Sequence, residues 1–309
     1  MRHLLFNTTP VNKLNYFSNK LGVNLYVKRD DLFLEAGGGS KVRMLQYILS
    51  DIKSENYDVL LTAGGPCSNF NRACALMCAK IGIPMHLVEY TDDPNEYKSS
   101  LNYYICQLAG IKTTRCEKSK VPETISKVLN EYQSKGQKVK FIYGGGKSIE
   151  GIYSYYEAVK ELYTQVQDID HIFITCGTGT TLTGVCAGVQ ELYSKAIVHA
   201  ISIARNYNDE LPVLLDNMKI LNEYLGSNYS FDNLKFYDNY ICGGYAKYNE
   251  SLINTIKECI SNEGMIIDPT YSGKSFLGML DIIKSSETYK GKNILFWNTG
   301  GLFNLLSTH

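Results

Sequence analysis

The feature that most constrains this chain is a repeated unit: a short apolar run, a glycine turn, then an amphipathic segment. Six runs read as buried strands: YDVLLTA (57–63), PMHLVEY (84–90), VKFIY (139–143), HIFIT (171–175), IVHAISI (197–203) and NILFW (293–297). They are too short for helices and largely apolar throughout, the pattern of parallel strands covered on both faces. The segments between them carry helical spacing. Phe70, Ala73, Cys74, Met77 and Cys78 recur at i, i+3, i+4, i+7 and i+8, with Gly82 placed to end the helix. Leu182, Val185, Cys186, Val189 and Tyr193 form a second such face after a glycine-rich loop. Strand, turn and helix in repetition predict α/β architecture with parallel sheets.

The 309 residues, 44 % of them apolar, suffice for one large or two ordinary domains. Glycine-rich punctuation at 37–39 and 144–146 falls mid-chain without a linker, so two domains would be interleaved. Thirty-one basic residues balance thirty-one acidic ones, which speaks against nucleic acid or an anionic membrane as partner. Nine cysteines without a CxxC pair read as buried thiols in a reducing compartment, not as disulfides or a metal site. No stretch approaches the ~20 apolar residues of a membrane span. The expectation is a soluble cytoplasmic protein. The histidines, at 3, 86, 171, 199 and 309, make no recognisable catalytic set.

The loop GTGTTLTG (177–184) follows a strand and opens a helix. Gly177 and Gly179 permit a tight turn, while Thr178, Thr180, Thr181 and Thr183 set hydroxyls beside the free N–H groups of the helix start. That combination is an anion cup suited to phosphate. It is not a dinucleotide fingerprint, because the third glycine would be Leu182, and the next strand ends in Arg205 where an acid would be needed. Two Gly-Lys-Ser triplets, 146–148 and 273–275, also fail as nucleotide loops, since Phe141 and Asp268 stand where glycine is required. In TAGGPCSNFNRA (62–73), Ser68 and Asn69 stand at a helix entrance, where a cap and a ligand contact are equally good readings. Cys67 there reads as a buried thiol more readily than as a nucleophile.

GGGSKVRML (37–45) puts Lys41 behind three glycines and at a helix start. Such a lysine can lie close against a flat ligand. When desolvated it loses its charge and becomes an amine able to form a Schiff base. A cation is mildly unfavourable at a helix N-terminus, which favours a functional reading over a surface one. A Schiff-base lysine with a phosphate cup points to pyridoxal 5'-phosphate.

Eight segments in order, VKRDDL (27–32), GGGSK (37–41), GGPCSNFNRA (64–73), FIYGGGKSIEGIYSY (141–155), GTGTTLTG, GGY (243–245), DPTYSGKS (268–275) and NTGG (298–301), span nearly the whole chain. Together they resemble the aminocyclopropane-carboxylate deaminase and D-cysteine desulfhydrase family of fold-type-II pyridoxal-phosphate enzymes. The resemblance implies a fold like the tryptophan synthase β subunit, with two open parallel-sheet α/β domains. A large cofactor domain (1–53 and 146–309) would carry a smaller inserted one (54–145), usually in a homodimer. It also implies roles. Lys41 matches the cofactor-bearing lysine, and Gly177, Thr178, Gly179, Thr180 and Thr181 match the phosphate cup. Asn69 matches the partner of the ring's 3-oxygen, and Ser272 that of the ring nitrogen. Ser68 matches a serine in proton transfer, and Tyr245 and Tyr271 match two tyrosines beside the substrate.

The departures bear on the substrate. Ring-opening deaminases resemble YEGKS where this chain has YSGKS, so a hydroxyl replaces the carboxylate against the ring nitrogen. A serine cannot hold that nitrogen protonated as a carboxylate does, which fits loss of a Cβ leaving group better than opening of a strained ring. The desulfhydrases carry threonine there. Cys67 and Phe70 replace the family's usual glutamine and its histidine or glutamine, Ser40 replaces asparagine, and Asn298 replaces histidine. The implied activity is a carbon–sulfur lyase or deaminase on a small amino acid such as D-cysteine, giving a 2-oxo acid and ammonia. Its alternatives are a β-replacement synthase in a specialised biosynthesis, the cyclopropane deaminase itself, and an inactive cofactor-binding protein. Lys28, Arg29, Asp30 and Asp31 read as an ion-paired strand end that positions the loop before Lys41. Tyr153, Tyr155 and Tyr156 read as helix packing.

Overall fold

The structure is a computed structural model that describes residues 8–245 and 247–307. His3 and His309 lie outside the described residues. Ten strands are present among them: β1 (Val11–Lys13), β2 (Asn24–Arg29), β3 (Val59–Gly64), β4 (Met85–Glu89), β5 (Lys112–Arg115), β6 (Val139–Ile142), β7 (His171–Cys176), β8 (Ile197–Ser202), β9 (Leu234–Tyr237) and β10 (Asn293–Asn298). The helices are α1 (Asn15–Leu21), α2 (Ser40–Ser54), α3 (Asn69–Ile81), α4 (Glu96–Ser99), α5 (Leu101–Leu108), α6 (Val121–Gln133), α7 (Ile149–Gln165), α8 (Thr180–Leu192), α9 (Tyr207–Leu225), α10 (Glu250–Glu263), α11 (Ser272–Lys284) and α12 (Leu302–Leu306).

The strands form two sheets. A six-stranded sheet runs β1-β2-β10-β7-β8-β9 and a four-stranded one runs β5-β4-β3-β6. Every pairing is parallel except β1 with β2. All six runs read as strands from the sequence are strands. β3, β4 and nearly all of β7, β8 and β10 are buried, as a doubly covered parallel sheet requires. Gly82 ends α3 in the left-handed conformation, its N–H returned to the carbonyls of Ala79 and Cys78. No described helix is long and apolar enough to cross a membrane. All nine cysteines are free thiols.

A buried polar hub fixes the strand end that precedes Lys41. Asp30 is fully buried and accepts from Thr9 Oγ1 (2.8 Å), Arg43 Nη2 (2.7 Å) and Nε (3.1 Å), Tyr155 OH (2.7 Å) and Trp297 Nε1 (2.9 Å). Glu161 closes the network through Lys28 and Arg43. The Asp30 carbonyl then receives the Gly39 N–H at 2.8 Å, which ties the glycine loop to the hub.

That loop has room for nothing larger than glycine. Gly38 has φ +72°, and a Cβ there would stand 2.3 Å from the Asp31 carbonyl oxygen; at Gly39, φ +96°, it would stand 2.8 Å from that of Thr299. Both obstacles are backbone. Gly38→Ala is therefore expected to cost at least about 2 kcal/mol, visible as a lower urea midpoint, and to displace Lys41.

Candidate active site

A cavity of about 1150 Å³ opens where the C-terminal ends of both sheets meet. It is lined by residues that follow β3 (Gly65), β4 (Tyr90), β6 (Gly145), β7 (Gly177), β8 (Arg205) and β10 (Gly300). Parallel α/β sheets bind ligands at this end because the loops there are free to vary while the strands fix their origin.

Lys41, on the first turn of α2, lines this cavity, and its Nζ donates to the Gly145 carbonyl at 2.8 Å. No carboxylate among the described residues pairs with it, and burial holds its pKa down to about 8. At neutral pH an appreciable share is therefore the neutral, nucleophilic amine.

Ser68 and Asn69 stand at the entrance of α3 and line the same cavity. Ser68 is the N-cap, its Oγ accepting from the Asn71 N–H at 3.2 Å. That bond uses a lone pair and leaves the hydroxyl proton free, so capping and a role toward a ligand coexist in one residue. Asn69 Oδ1 accepts from Arg72 Nη1 (2.9 Å) and Asn102 Nδ2 (3.1 Å). Cys67 is not buried as the sequence suggested: it lines the cavity half-buried. Burial nevertheless pushes its thiol up to about 11, which keeps it protonated.

The phosphate-cup residues divide. Gly177, Thr178, Gly179 and Thr181 line the cavity at the start of α8. Gly179 sits at φ +73° with Glu210 Oε1 2.9 Å from where a Cβ would be, so the turn needs glycine. The Thr180 side chain is fully buried, 3.4 Å from the Thr178 hydroxyl, and Thr183 returns its hydroxyl to the Gly179 carbonyl. These two hydroxyls serve the turn.

Tyr245 and Tyr271 share a short hydroxyl–hydroxyl hydrogen bond on the cavity wall. Burial pushes both phenols up, Tyr245 included although 42 % of its surface opens to solvent. Lys274 of the second Gly-Lys-Ser triplet is buried and donates to the Ile241 (2.7 Å) and Gly244 (2.8 Å) carbonyls, anchoring the loop that presents Tyr245. Lys147 of the first triplet pairs with Asp216 near the surface.

Ser272 is buried behind this wall rather than among its lining residues. Its Oγ donates to Asp268 Oδ1 (2.7 Å) and accepts from the Asp268 N–H (2.9 Å). Asp268 also receives the N–H groups of Thr270, Tyr271 and Ser272. Burial raises its carboxyl to about 6 against the pull of those bonds. Asn298 is likewise buried off the cavity, accepting from the Gly300 N–H at 3.1 Å and shaping the NTGG turn.

Sequence reasoning missed the roles of Arg72, Asn102 and Asp268. Arg72 and Asp268 at least lay inside motifs, Arg72 one helical turn beyond Ser68 and Asp268 at the head of DPTYSGKS; Asn102 lay in none.

These residues define an enzyme of the class that binds a phosphate-bearing carbonyl cofactor. The donor set fits pyridoxal phosphate: helix-start N–H groups and hydroxyls for the phosphate, a desolvated primary amine for the carbonyl, and a fixed amide for the ring oxygen. Comparison with known proteins agrees. The family described as "Pyridoxal-phosphate dependent enzyme" matches residues 3–300, and the chain belongs to that family, with pyridoxal phosphate as its cofactor. D-cysteine desulfhydrase of Yersinia pestis is 28 % identical over 99 % of this chain and 95 % of its own. A Pyrococcus abyssi protein, provisionally named a 1-aminocyclopropane-1-carboxylate deaminase, is 32 % identical over 95 % of this chain and 89 % of its own. The solved structure of an ACC deaminase homologue superposes with a TM-score of 0.89 at 30 % identity, covering 98 % of this chain and 92 % of that one.

Proposed function

We propose that the chain is a lyase that removes the Cα proton of a small amino acid and expels its Cβ substituent. A D-cysteine-like substrate would yield a 2-oxo acid, ammonia and sulfide. The observation that carries this reading is the divergence of acid and base within one cavity. Lys41 is drawn down to about 8, while Tyr245 and Tyr271 are pushed up. An amine that is partly neutral at working pH takes a proton; phenols that stay protonated give one to a departing sulfur.

Bound at this site, the cofactor supplies an electron sink for the negative charge that forms at Cα. In this reading Lys41 holds the cofactor and moves the Cα proton at Nζ, and Ser68 Oγ offers its free proton on the substrate side. Gly177, Thr178, Gly179, Thr180 and Thr181 hold the phosphate, Thr180 through its backbone alone. Asn69 holds the ring oxygen; Ser272, matched to the ring nitrogen, would serve it only by turning its hydroxyl proton away from Asp268 Oδ1. The same reading takes residues 54–145 as the smaller domain between 1–53 and 146–309, supported by the enclosure of β3, β4, β5 and β6 within residues 59–142. It also takes the enzyme as a cytoplasmic homodimer, for which light scattering should give twice the 34.7 kDa chain mass.

The test is 2-oxo acid release by the cofactor-loaded protein from D-cysteine, L-cysteine, D-serine, cysteate and aminocyclopropane-carboxylate. Turnover of a cysteine with the cyclopropane untouched is the expected result. Turnover of the cyclopropane would sink the argument from Ser272 and make the chain a ring-opening deaminase. A second reading, β-replacement, is favoured by the altered 67–70 loop: Cys67 and Phe70, which replace the family's usual polar residues, both line the cavity where a second substrate would be selected. It predicts no oxo acid from any of these compounds and, once an external thiol or amine is supplied, a new β-substituted amino acid in its place.

A further inference from the structure

We propose that Arg72 is a positioning residue for the cofactor's ring oxygen: it fixes Asn69 as a hydrogen-bond donor and holds an unneutralised positive charge behind it. The inference rests on the assignment of Asn69 to that oxygen.

Arg72 lies on α3 and is only 2 % exposed. Its guanidinium forms no ion pair among the described residues. All its partners are neutral oxygens: Ala36 O (3.2 Å from Nε), Gly38 O (3.5 Å from Nη2), and Asn69 Oδ1 and Asn102 Oδ1 (both 2.9 Å from Nη1). The Phe303 ring covers it at 4.2 Å. A buried cation without a carboxylate is costly, and burial draws this one down to about 10, still charged at neutral pH. A purely structural tie between helix and loop needs no charge there; a neutral amide would serve.

The bonds to Asn69 show what the charge does. Arginine has donors only, so the Asn69 atom it meets must be the carbonyl oxygen. Asn102 Nδ2 takes the second acceptor position on that oxygen. Asn69 therefore has only its Nδ2 protons left for the cavity. A donor fixed in this way selects an acceptor, and it binds an ionised oxygen more strongly than a neutral one. The guanidinium one bond further back favours the ionised form again by direct attraction. Its remaining bonds run to Ala36 and Gly38, so the same group also holds the loop that carries Lys41 against Asn69. Of the titratable groups on the surrounding elements, Cys106 on α5 acts on the guanidinium, Cys74 on α3 acts on Lys41, and Lys41 and Cys67 line the cavity. Glu35 is engaged with Lys80, and Asp93 and Glu96 stand on the cavity lining.

The test is the pH midpoint of the bound cofactor's visible absorption band, a readout independent of turnover. Removing a nearby positive charge favours the proton-bound state. Arg72→Gln should therefore raise the midpoint by about one pH unit, the size of one charge acting through protein of effective dielectric about 20. Asn102→Asp should raise it similarly by pairing the guanidinium while leaving Arg72 packed; Asn102→Leu, which removes the same Nδ2 donor to Asn69 without adding charge, is its control, and the difference between the two decides the matter if Arg72→Gln does not fold. Arg72→Lys, which keeps the charge and loses the fork, should hold the midpoint while kcat/KM falls about tenfold. Midpoints unmoved in Arg72→Gln and Asn102→Asp, with Asn69→Ala shifting it, would overturn the role of Arg72 and leave the Asn69 assignment intact. A midpoint unmoved in Asn69→Ala itself would remove that assignment and this inference with it.

Discussion

Lys41→Ala lowers 2-oxo acid release by at least about 10³-fold, since one substitution removes both the attachment point of the cofactor and the base that takes the Cα proton. The fold should survive it. The start of α2 is held by backbone bonds, Ser40 N–H to the Thr299 carbonyl (2.9 Å) and Val42 N–H to the Gly39 carbonyl (3.0 Å), none of which needs the side chain. The Gly145 carbonyl loses a donor, a small cost beside a cavity that water can enter. The phosphate cup is untouched, so the variant should still bind the cofactor, now released by dialysis and without the parent's visible band. A small primary amine such as methylamine should restore part of the turnover. In the parent, burial of Lys41 makes cofactor loading rise with pH to about 8 and level off above it, as the amine loses its proton. Turnover retained within tenfold in the variant would take Lys41 out of the chemistry. Equal cofactor retention in parent and variant, with neither active, would make the chain a carrier.

Residues whose role is local in sequence were readable, and residues whose role is created by tertiary contact were not. Buried strands announce themselves because both faces must be apolar, which is why β3, β4, β7, β8 and β10 stood out; β6 ends its sheet with only Ile142 buried and stood out by its apolar VKFIY run alone. β5 reads KTTR and β9 reads LKFY; both end their sheets, half in solvent, and neither has a pattern distinguishable from a loop. The glycine loops were legible because a turn into a helix start needs glycine whatever lies beyond it. Lys28 to Asp31 were legible as an ion-paired strand end, but Glu161, the partner of Lys28, is 133 positions beyond it and no local spacing points to it. Arg72 acquires meaning only when Asn102 and the Gly38 loop reach it, and Asp268 only when α11 turns Ser272 back onto it. Ser272 marks the limit of a motif. The sequence identified the position, but not that its hydroxyl proton is already given to a carboxylate.

Asp30→Asn is expected to cost about 3–5 kcal/mol, a large part of the roughly 5–15 kcal/mol that a domain has in total. The substitution is nearly isosteric, so the cost is one of charge and hydrogen bonding. Lys28 and Arg43 are balanced in the parent by Asp30 and Glu161; the variant leaves two buried cations to Glu161 alone. Every partner of the Asp30 side chain among the described residues is a donor: Thr9, Arg43 twice, Tyr155 and Trp297. An amide must turn its NH₂ toward some of them in either orientation, so at least one buried donor loses its acceptor. The pH dependence carries a definite sign. Burial pushes the Asp30 carboxyl up, but the charge and hydrogen bonds of Arg43 outweigh it and hold the pKa down to about 2, below the unfolded 3.8. A carboxyl depressed on folding stabilises above its unfolded pKa and loses that contribution as pH falls through the folded one. Urea midpoints of parent and variant should therefore lie furthest apart above about pH 4 and converge toward pH 2. The cofactor should feel the change too, since the Asp30 carbonyl holds Gly39 and Arg43 lies two residues beyond Lys41 on α2. A variant within about 1 kcal/mol of the parent at pH 7 would mean that the hub does not hold the lysine loop, and the cavity would then owe its shape to the glycine contacts with Asp31 and Thr299 alone.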